Sequence, residues 1–255
     1  MNLFPATPIS LNRLTLNAVK NLWGTLKATW PLIVALLVIK EIYCELNLPI
    51  ASNSHVHLLI MALVVLFNMG IWAVICLRSY RLLEGAALPL FEAISSVFKR
   101  SFLLLGAYFF YIFLTSLVGS IGYLIGGLLL NYLSYHEQLR PLLGLVIGLP
   151  VLYAIVLFFF AIPLILIDNL SIWKAFKEGA QLVYRRWFRG FIVYAGILLL
   201  MVLIDYIQFQ PFILSYGHWL EILIQIPVFL IFIPFLSNFY MLSLHDLKLR
   251  VAEEG

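Results

Sequence analysis

Six long apolar runs separated by short charged segments most constrain how this chain of 255 residues can fold. A helix needs about 20 apolar residues to cross a bilayer, so each run is long enough to be one transmembrane helix. The runs lie at about 27–46, 57–77, 102–126, 141–167, 191–209 and 219–244. The pattern predicts an all-α membrane protein with six transmembrane helices, formed by one polytopic domain over residues 1–255. Residues 127–140 could extend the third helix or lie on the outer interface.

The overall composition excludes several other classes of protein. Hydrophobic residues make up 64% of the chain and charged residues only 11%, whereas a soluble domain is roughly half apolar and about one quarter charged. Too little charge is present to cover the surface of a soluble fold. We therefore exclude a soluble enzyme, a disordered chain and a nucleic-acid-binding domain, and expect no nucleic-acid partner.

The basic residues predict the orientation of the chain. With the N-terminus in the cytoplasm, fourteen of the sixteen lysines and arginines fall in cytoplasmic segments, and only Lys40 and Arg140 fall outside. An excess of lysine and arginine is typical of cytoplasmic loops. Because six is an even number of crossings, the C-terminus is then also in the cytoplasm. Residues 1–27 lack the order of a cleavable signal peptide, so we expect the first helix to be retained.

Three cytoplasmic segments, at 11–27, 89–100 and 171–189, are amphipathic. Each has an apolar face opposite a polar, mostly basic face, and Ser10 is suited to cap the first of them. Such helices lie in the headgroup layer of a membrane. Because each precedes a pair of spanning helices, a threefold repeat with units at 10–80, 81–168 and 169–245 is one interpretation. The other is that any chain entering a membrane from the cytoplasm is basic and then aromatic.

The stretch at 148–189 has a distinctive order of residues. Gly148-Leu-Pro150 opens an apolar run that closes on Ala161-Ile-Pro163 and Asp168, and a basic amphipathic segment follows. This stretch resembles the YciC-like family of uncharacterised bacterial inner-membrane proteins and the related membrane domains fused to glycerophosphodiester phosphodiesterases. The resemblance implies a location in the bacterial inner membrane and a shared helix geometry, and it carries no catalytic residue.

Four charged residues form the sharpest hypothesis for a polar site. Lys40 and Glu41 interrupt the first helix, while Asp205 and Glu221 lie near the outer ends of the fifth and sixth. Ionisable groups within a membrane are costly and often functional. The four could meet in an outward-facing cavity, and the alternative is that they are ordinary interfacial charges.

Glycines and prolines indicate where helices pack or bend. The pairs Gly122/Gly126 and Gly144/Gly148 match the G-x-x-x-G spacing that lets helices approach closely, either within the bundle or in a homodimer. Prolines interrupt the hydrogen bonds of a helix, so we expect kinks in the fourth and sixth helices. The prolines concerned are Pro150, Pro163, Pro227 and Pro234. Kinked helices line the substrate sites of transporters, and they also occur in static bundles.

The densest basic patch lies in the third amphipathic segment. It consists of Lys174, Lys177, Arg185, Arg186 and Arg189. Basic residues at a membrane surface bind anionic lipid headgroups, although the same residues also determine topology. We interpret the patch as a candidate site for anionic phospholipids.

The sequence contains no recognisable catalytic constellation. His55 and His57 lack a convincing third ligand, so we expect neither a metal site nor a cofactor. The function predicted is therefore non-enzymatic and concerns envelope or lipid homeostasis. Two alternatives stay open: a transporter or channel for small solutes or lipids that uses the kinked fourth and sixth helices, and an accessory subunit of a membrane complex.

Overall fold

The computed structural model describes residues 4–50, 54–132, 140–184, 186–196 and 218–253, and within these ranges every regular element is an α-helix. The helices are α1 (Leu11–Lys20), α2 (Leu22–Ile50), α3 (Ser54–Leu83), α4 (Leu90–Lys99), α5 (Ser101–Tyr132), α6 (Arg140–Phe158), α7 (Ala161–Asp168), α8 (Ile172–Tyr184), α9 (187–196) and α10 (His218–Ala252). The prediction of an all-α chain is confirmed for the part of the chain that the structure describes.

Among the residues that the structure describes, five helical stretches are long and apolar enough to cross a membrane. They are Leu22–Ile39, Ala62–Leu83, Ser101–Ile125, Gly148–Asp168 and Ile226–Ala252. These five overlap with the first, second, third, fourth and sixth predicted spans, with bounds that differ by up to eight residues. Most of the fifth predicted span, from residue 197 onwards, lies outside the described residues, so a sixth crossing stays a prediction. Helix α5 continues to Tyr132, so the start of the ambiguous segment 127–140 extends the third helix, whereas the candidate membrane span within it ends at Ile125.

Local sequence explains where several helices begin and end. Ser10 caps α1 as predicted, because its side chain accepts a hydrogen bond from the backbone N–H of Arg13. Helix α3 ends in a Schellman turn at Gly85, whose φ of 84° suits a residue without a Cβ. Its two closing bonds run from Gly85 N to Leu82 O and from Ala86 N to Arg81 O, both 2.9 Å long.

The three amphipathic segments form the short helices α1, α4 and α8, with one difference from the prediction. The segment 11–27 is interrupted at Asn21, and its last residues belong to the long helix α2. At this point the carbonyl of Asn17 accepts two hydrogen bonds from Asn21, one from its backbone N–H at 3.1 Å and one from its side-chain amide at 2.9 Å.

The fourth span is divided into α6 and α7 at Phe159 and Phe160. Pro163 lies in the first turn of α7, where a proline has no N–H to donate and its ring crowds the carbonyl four residues earlier, that of Phe159. Pro150, Pro227 and Pro234, by contrast, lie inside α6 and α10 without interrupting either helix.

The chain divides into two compact units, and the first comprises Met1–Ser101 with Ala195–Gly255. Its core lies where α2, α3 and α10 pack together, with α1 against α10 and α4 against α3. Residues buried in it include Ile33, Ile75 and Met241. Ile9, next to α1, bonds to Asp246, and Ala18 bonds to Asn238, so α1 runs antiparallel to the C-terminal part of α10.

The second unit comprises Phe102–Tyr194. Helix α8 packs against α6 and α7, and Phe160, Leu164 and Val183 are fully buried. The ring of Phe176, on α8, lies 4.9 Å from that of Phe110 and 5.3 Å from that of Phe158. The boundaries of the two units differ from those of the three predicted repeat units, and both the repeat and the single polytopic domain stay predictions.

Candidate functional site

The exposed basic residues of α8 form the candidate site that the structure places most clearly. Lys174 and Lys177 are exposed on one side of α8, together with Glu178 and Gln181. Arg186 and Arg189 follow α8 and are partly buried, and Arg185 lies outside the described residues. The structure therefore places two of the five predicted headgroup ligands together on an accessible helical surface.

Close packing on the opposite side of α8 holds these lysines in place. Ala175, Phe176, Gly179, Leu182 and Val183 are buried there. At Gly179 an added Cβ would lie 3.3 Å from the backbone nitrogen of Ala161, so the missing side chain lets α8 approach the start of α7. The turn before α8 uses Asn169 in the left-handed conformation, with φ 57°, to end α7.

Aromatic residues lie beside the two lysines. Trp173 is 71% and Tyr184 is 67% exposed, and both lie between the charged side of α8 and its packed side. Exposed Trp and Tyr are typical of the membrane–water boundary, because one part of each ring is apolar and another carries a hydrogen-bonding group. Positive charge next to exposed aromatic rings is the arrangement that suits a phospholipid headgroup above an acyl chain.

The predicted outer polar cluster lies beyond what the structure describes. Asp205 lies outside the described residues. Lys40 and Glu41 belong to α2 and Glu221 belongs to α10, but their side chains are also outside the described set. The hypothesis that these four groups meet stays a prediction.

The predicted packing glycines have different surroundings. Gly122 is buried, whereas Gly148 is exposed and an added Cβ there would meet no described atom within 4 Å. The side-chain surroundings of Gly126 and Gly144 lie outside the described set. At Gly119, on α5, an added Cβ would lie 3.5 Å from the side chain of Val151 on α6, an ordinary van der Waals distance. Packing at the four predicted glycines stays a prediction.

The prolines expected at kinks also differ in their surroundings. Pro163 and Pro234 are buried, and Pro150 and Pro227 are exposed. The carbonyl of Pro234 accepts a hydrogen bond from the hydroxyl of Ser237, 3.0 Å away, one turn further along α10.

Sequence reasoning missed a line of buried polar residues in the first unit. Its members lie on α2, α3 and α10 and are Thr25, Thr29, Ser79, Ser237, Asn238, Ser243 and Asp246, all with 2% or less exposure. The hydroxyl of Thr25 donates to the side-chain oxygen of Asn238 at 2.8 Å, and the amide of Asn238 donates to Ala18 O at 3.3 Å. The hydroxyls of Ser79 and Ser237 lie 2.9 Å apart. These bonds join α10 to α1, α2 and α3, and such bonds stabilise helix association where water is absent.

The C-terminal end of this line holds the N-terminal segment. The carboxylate of Asp246 accepts from Ile9 N at 2.8 Å and from Arg250 Nε at 2.9 Å, and Arg250 Nη2 donates to Ile9 O at 2.9 Å. Next to Asp246 in the chain, His245 Nε2 lies 3.0 Å from the carbonyl of Pro5. The ring of Phe4 stacks on that of His245 at 4.3 Å. The contacts with Pro5 and Ile9 are to backbone atoms. They therefore fix the course of the backbone in this segment and do not depend on the side chains at these two positions.

Arg78 adds a second fixed point at the same end of this unit. Its guanidinium donates to the carbonyl of Ala28 on α2, and its Nε donates to Leu88 O at 3.2 Å, just before α4. One side chain near the end of α3 therefore positions both α2 and the segment that leads into α4.

A signal for the missed residues is present in the sequence. Asn238, Asp246 and Arg250 are spaced by multiples of four within the last apolar helix, so they lie on one face of it. A polar side chain that is buried without a partner costs free energy, so a polar row in such a helix indicates partners on a neighbouring helix. The sequence alone does not say which helix supplies them.

No group of three or more His, Cys, Asp or Glu residues suited to a metal ion occurs among the described residues. Comparisons of the chain with protein-family profiles, with curated proteins and with solved structures find no match.

Proposed function

We propose that this chain is a non-enzymatic multi-pass protein of the bacterial inner membrane that serves envelope or lipid homeostasis. In this proposal the exposed lysines of α8 contact anionic phospholipids, and no cofactor takes part. The observation that carries it is the surface of α8, where Lys174 and Lys177 are exposed beside Trp173 and Tyr184 while the opposite side is packed. The resemblance to the YciC-like family agrees with this location and stays an expectation.

The first unit supports a common side for the two termini. The N-terminal part of α2 meets α10 through Thr25 and Asn238, and Phe4 lies between Tyr80 of α3 and His245 of α10, at ring distances of 5.1 and 4.3 Å. These contacts bring the start of α2 and the C-terminal ends of α3 and α10 together. The excess of basic residues at this end favours the cytoplasmic side.

Lipid selectivity tests the proposed contact. The full chain would be extracted into lipid nanodiscs from a mixture of phosphatidylglycerol and phosphatidylethanolamine, and the retained lipids would be counted by mass spectrometry. Each lysine near an anionic surface contributes about 1 kcal/mol. We therefore expect Lys174→Gln combined with Lys177→Gln to lower the retained ratio of anionic to zwitterionic lipid several-fold.

Glu178→Gln is the matched control for this experiment. It changes the charge of the same exposed surface in the opposite direction, so we expect it to leave the ratio unchanged or to raise it. A double lysine variant that folds and still retains lipids in the wild-type ratio would overturn the proposed contact.

A transporter is the second candidate function, and the interruption of the fourth span at Phe159 and Phe160 favours it. Broken helices occur at transporter substrate sites because unpaired backbone groups there can bind a ligand. The interruption is lined by the buried side chains of Phe160 and Leu164, which favours a static joint. Cysteines placed at 159–163 would distinguish a transporter from a static joint. A water-filled pathway predicts that a polar thiol reagent modifies these cysteines, whereas a packed joint predicts that it does not.

An accessory subunit of a membrane complex, or a homodimer, is the third candidate. If the chain is an accessory subunit, it should fail to accumulate when its partner is absent. If it forms a homodimer, it should accumulate alone and migrate at a larger size than one chain. Expression of the chain alone, followed by size determination in nanodiscs, tests both forms of this candidate.

A further inference from the structure

Helix α4 carries a stripe of exposed apolar side chains that its own unit leaves uncovered. Phe91 is 81% exposed, Ile94 is 42% exposed and Phe98 is 77% exposed. Their spacing of three and four residues places them in one row along the helix. An exposed apolar row of this kind marks an interaction surface.

Two further sectors complete the surface of α4. Ala93 and Val97 are buried where α4 packs against α3. Glu92 and Lys99 are exposed on the side between that packed face and the aromatic row. The helix is therefore divided lengthwise into a packed sector, an exposed apolar sector and an exposed charged sector.

The attachment of α4 to α3 is built from specific contacts. The Schellman turn at Gly85 sets the direction in which the chain leaves α3, and Arg78 holds Leu88 through its carbonyl at 3.2 Å. With Ala93 and Val97 packed on α3, the direction in which Phe91 and Phe98 face is fixed by the first unit itself.

Helix α8, in the second unit, has the same three sectors in the same order. Around the axis of each helix, in the direction in which the chain winds, the order of the sectors is charged, packed and then exposed aromatic. On α8 these sectors are marked by Lys177, by Val183 and by Trp173. The two helices share this order although their sequences differ.

We propose that α4 is an interfacial anchor, lying along the bilayer surface with Phe91, Ile94 and Phe98 in the acyl-chain boundary and Lys99 at the phosphates. This inference rests on the proposed membrane location and deepens it by naming the part of the lipid that each sector meets. The occupant is the lipid bilayer, because each unit contains helices long and apolar enough to cross it and because α8 carries the same three sectors as α4. A protein partner would have to recognise each helix separately. Lysine next to the apolar row also complements the negative charge of phosphates.

Acyl-chain photolabelling of the wild-type chain tests the anchor. The protein would be placed in nanodiscs that contain a phospholipid with a diazirine near the middle of one acyl chain, and modified residues would be located by mass spectrometry. We expect several-fold more label on Phe91 and Phe98 than on Glu92, with strong label on Phe109 of the third span as the internal reference. Label on Phe109 without enrichment at Phe91 and Phe98 would overturn the anchor alone. Absence of label from Phe109 as well would overturn the membrane location on which the proposed function rests.

Spin labels give a second measurement that does not depend on labelling chemistry. Cysteines would replace Phe91, Phe98 and, as the matched control, Glu92, in a chain with Cys44→Ala; Cys76 is buried and can stay. We expect the nitroxides at 91 and 98 to be more accessible to oxygen than to a nickel chelate, and the nitroxide at 92 to show the reverse. Nitroxides at 91 and 98 that are immobile and inaccessible to both reagents would show a protein neighbour there and would overturn the proposal.

Discussion

The carboxylate of Asp246 accepts a hydrogen bond of 2.8 Å from the backbone N–H of Ile9, a residue 237 positions earlier in the chain. Asp246 is fully buried and is also paired with Arg250, which donates in turn to the carbonyl of Ile9. One side-chain pair near the end of α10 therefore binds both backbone groups of a residue in the N-terminal segment. This relationship joins the two ends of the first unit.

Replacement of Asp246 should destabilise the protein strongly. Asp246→Ala would remove the carboxylate that accepts from the N–H of Ile9 and pairs with Arg250, and we expect a loss of about 3 kcal/mol. Reversible unfolding in mixed detergent micelles would measure it. The exposed Glu253, near the same end of α10, supplies the control, and Glu253→Ala should change the stability by about 0.5 kcal/mol or less. Equal effects of the two substitutions would contradict the role given to Asp246.

The bond between Thr25 and Asn238 should appear as a coupling energy. A double-mutant cycle with Thr25→Val and Asn238→Leu should give about 1 kcal/mol, because interhelical hydrogen bonds in membranes have this size. Thr115 is the matched control, since its hydroxyl donates to Tyr111 O and Ile112 O within its own helix. Thr115→Val and Asn238→Leu should be additive. A cycle without coupling between Thr25 and Asn238 would argue against the bond.

The location of the spans could be predicted because it depends on local composition. A run of apolar residues is stable across a bilayer whichever neighbours it has, and five predicted spans accordingly appear among the described residues as helical stretches of sufficient length, the fourth of them divided between α6 and α7. Amphipathic spacing is also a local property, so α1, α4 and α8 could be anticipated, together with the cap at Ser10.

Pairing between distant residues could not be predicted in the same way. Thr25 and Asn238 are 213 positions apart, and polar residues on several other helices could have served equally well as partners. The break in the fourth span has a similar origin. Pro150 and Pro163 look alike in the sequence, but only the helix before Pro163 is interrupted, where Phe160 and Ala161 are fully buried. Whether a proline ends a helix depends on tertiary packing that can compensate for the lost hydrogen bond.

The left-handed conformation of Asn169 leads to a prediction about the turn between α7 and α8. At φ 57° a β-branched residue is strained by its Cβ, so Asn169→Val should cost about 1–2 kcal/mol. Glycine adopts this conformation freely, and Asn169→Gly should leave the stability close to that of the wild type. Because Asn169 is exposed, unfolding measurements on the two variants isolate the backbone effect. A Val variant as stable as the Gly variant would show that the turn does not need this conformation.

Alanine substitutions at three glycines should differ in effect according to what the new methyl group meets. At Gly179 it would lie 3.3 Å from the backbone nitrogen of Ala161, and backbone atoms cannot easily move aside. We expect Gly179→Ala to destabilise the protein by about 1 kcal/mol, the cost of overpacking less the gain in helix propensity.

At Gly106 the methyl group would meet only the tip of the Ile172 side chain, at 2.8 Å, and that tip can rotate away. At Gly148 no described atom lies within 4 Å, so Gly148→Ala should stabilise α6 by up to about 1 kcal/mol through helix propensity alone. Unfolding of the three variants under one set of conditions should therefore rank Gly148→Ala as the most stable and Gly179→Ala as the least. If Gly179→Ala is as stable as Gly148→Ala, α8 does not lie against α7 at Ala161, and this packing does not hold Lys174 and Lys177 in place.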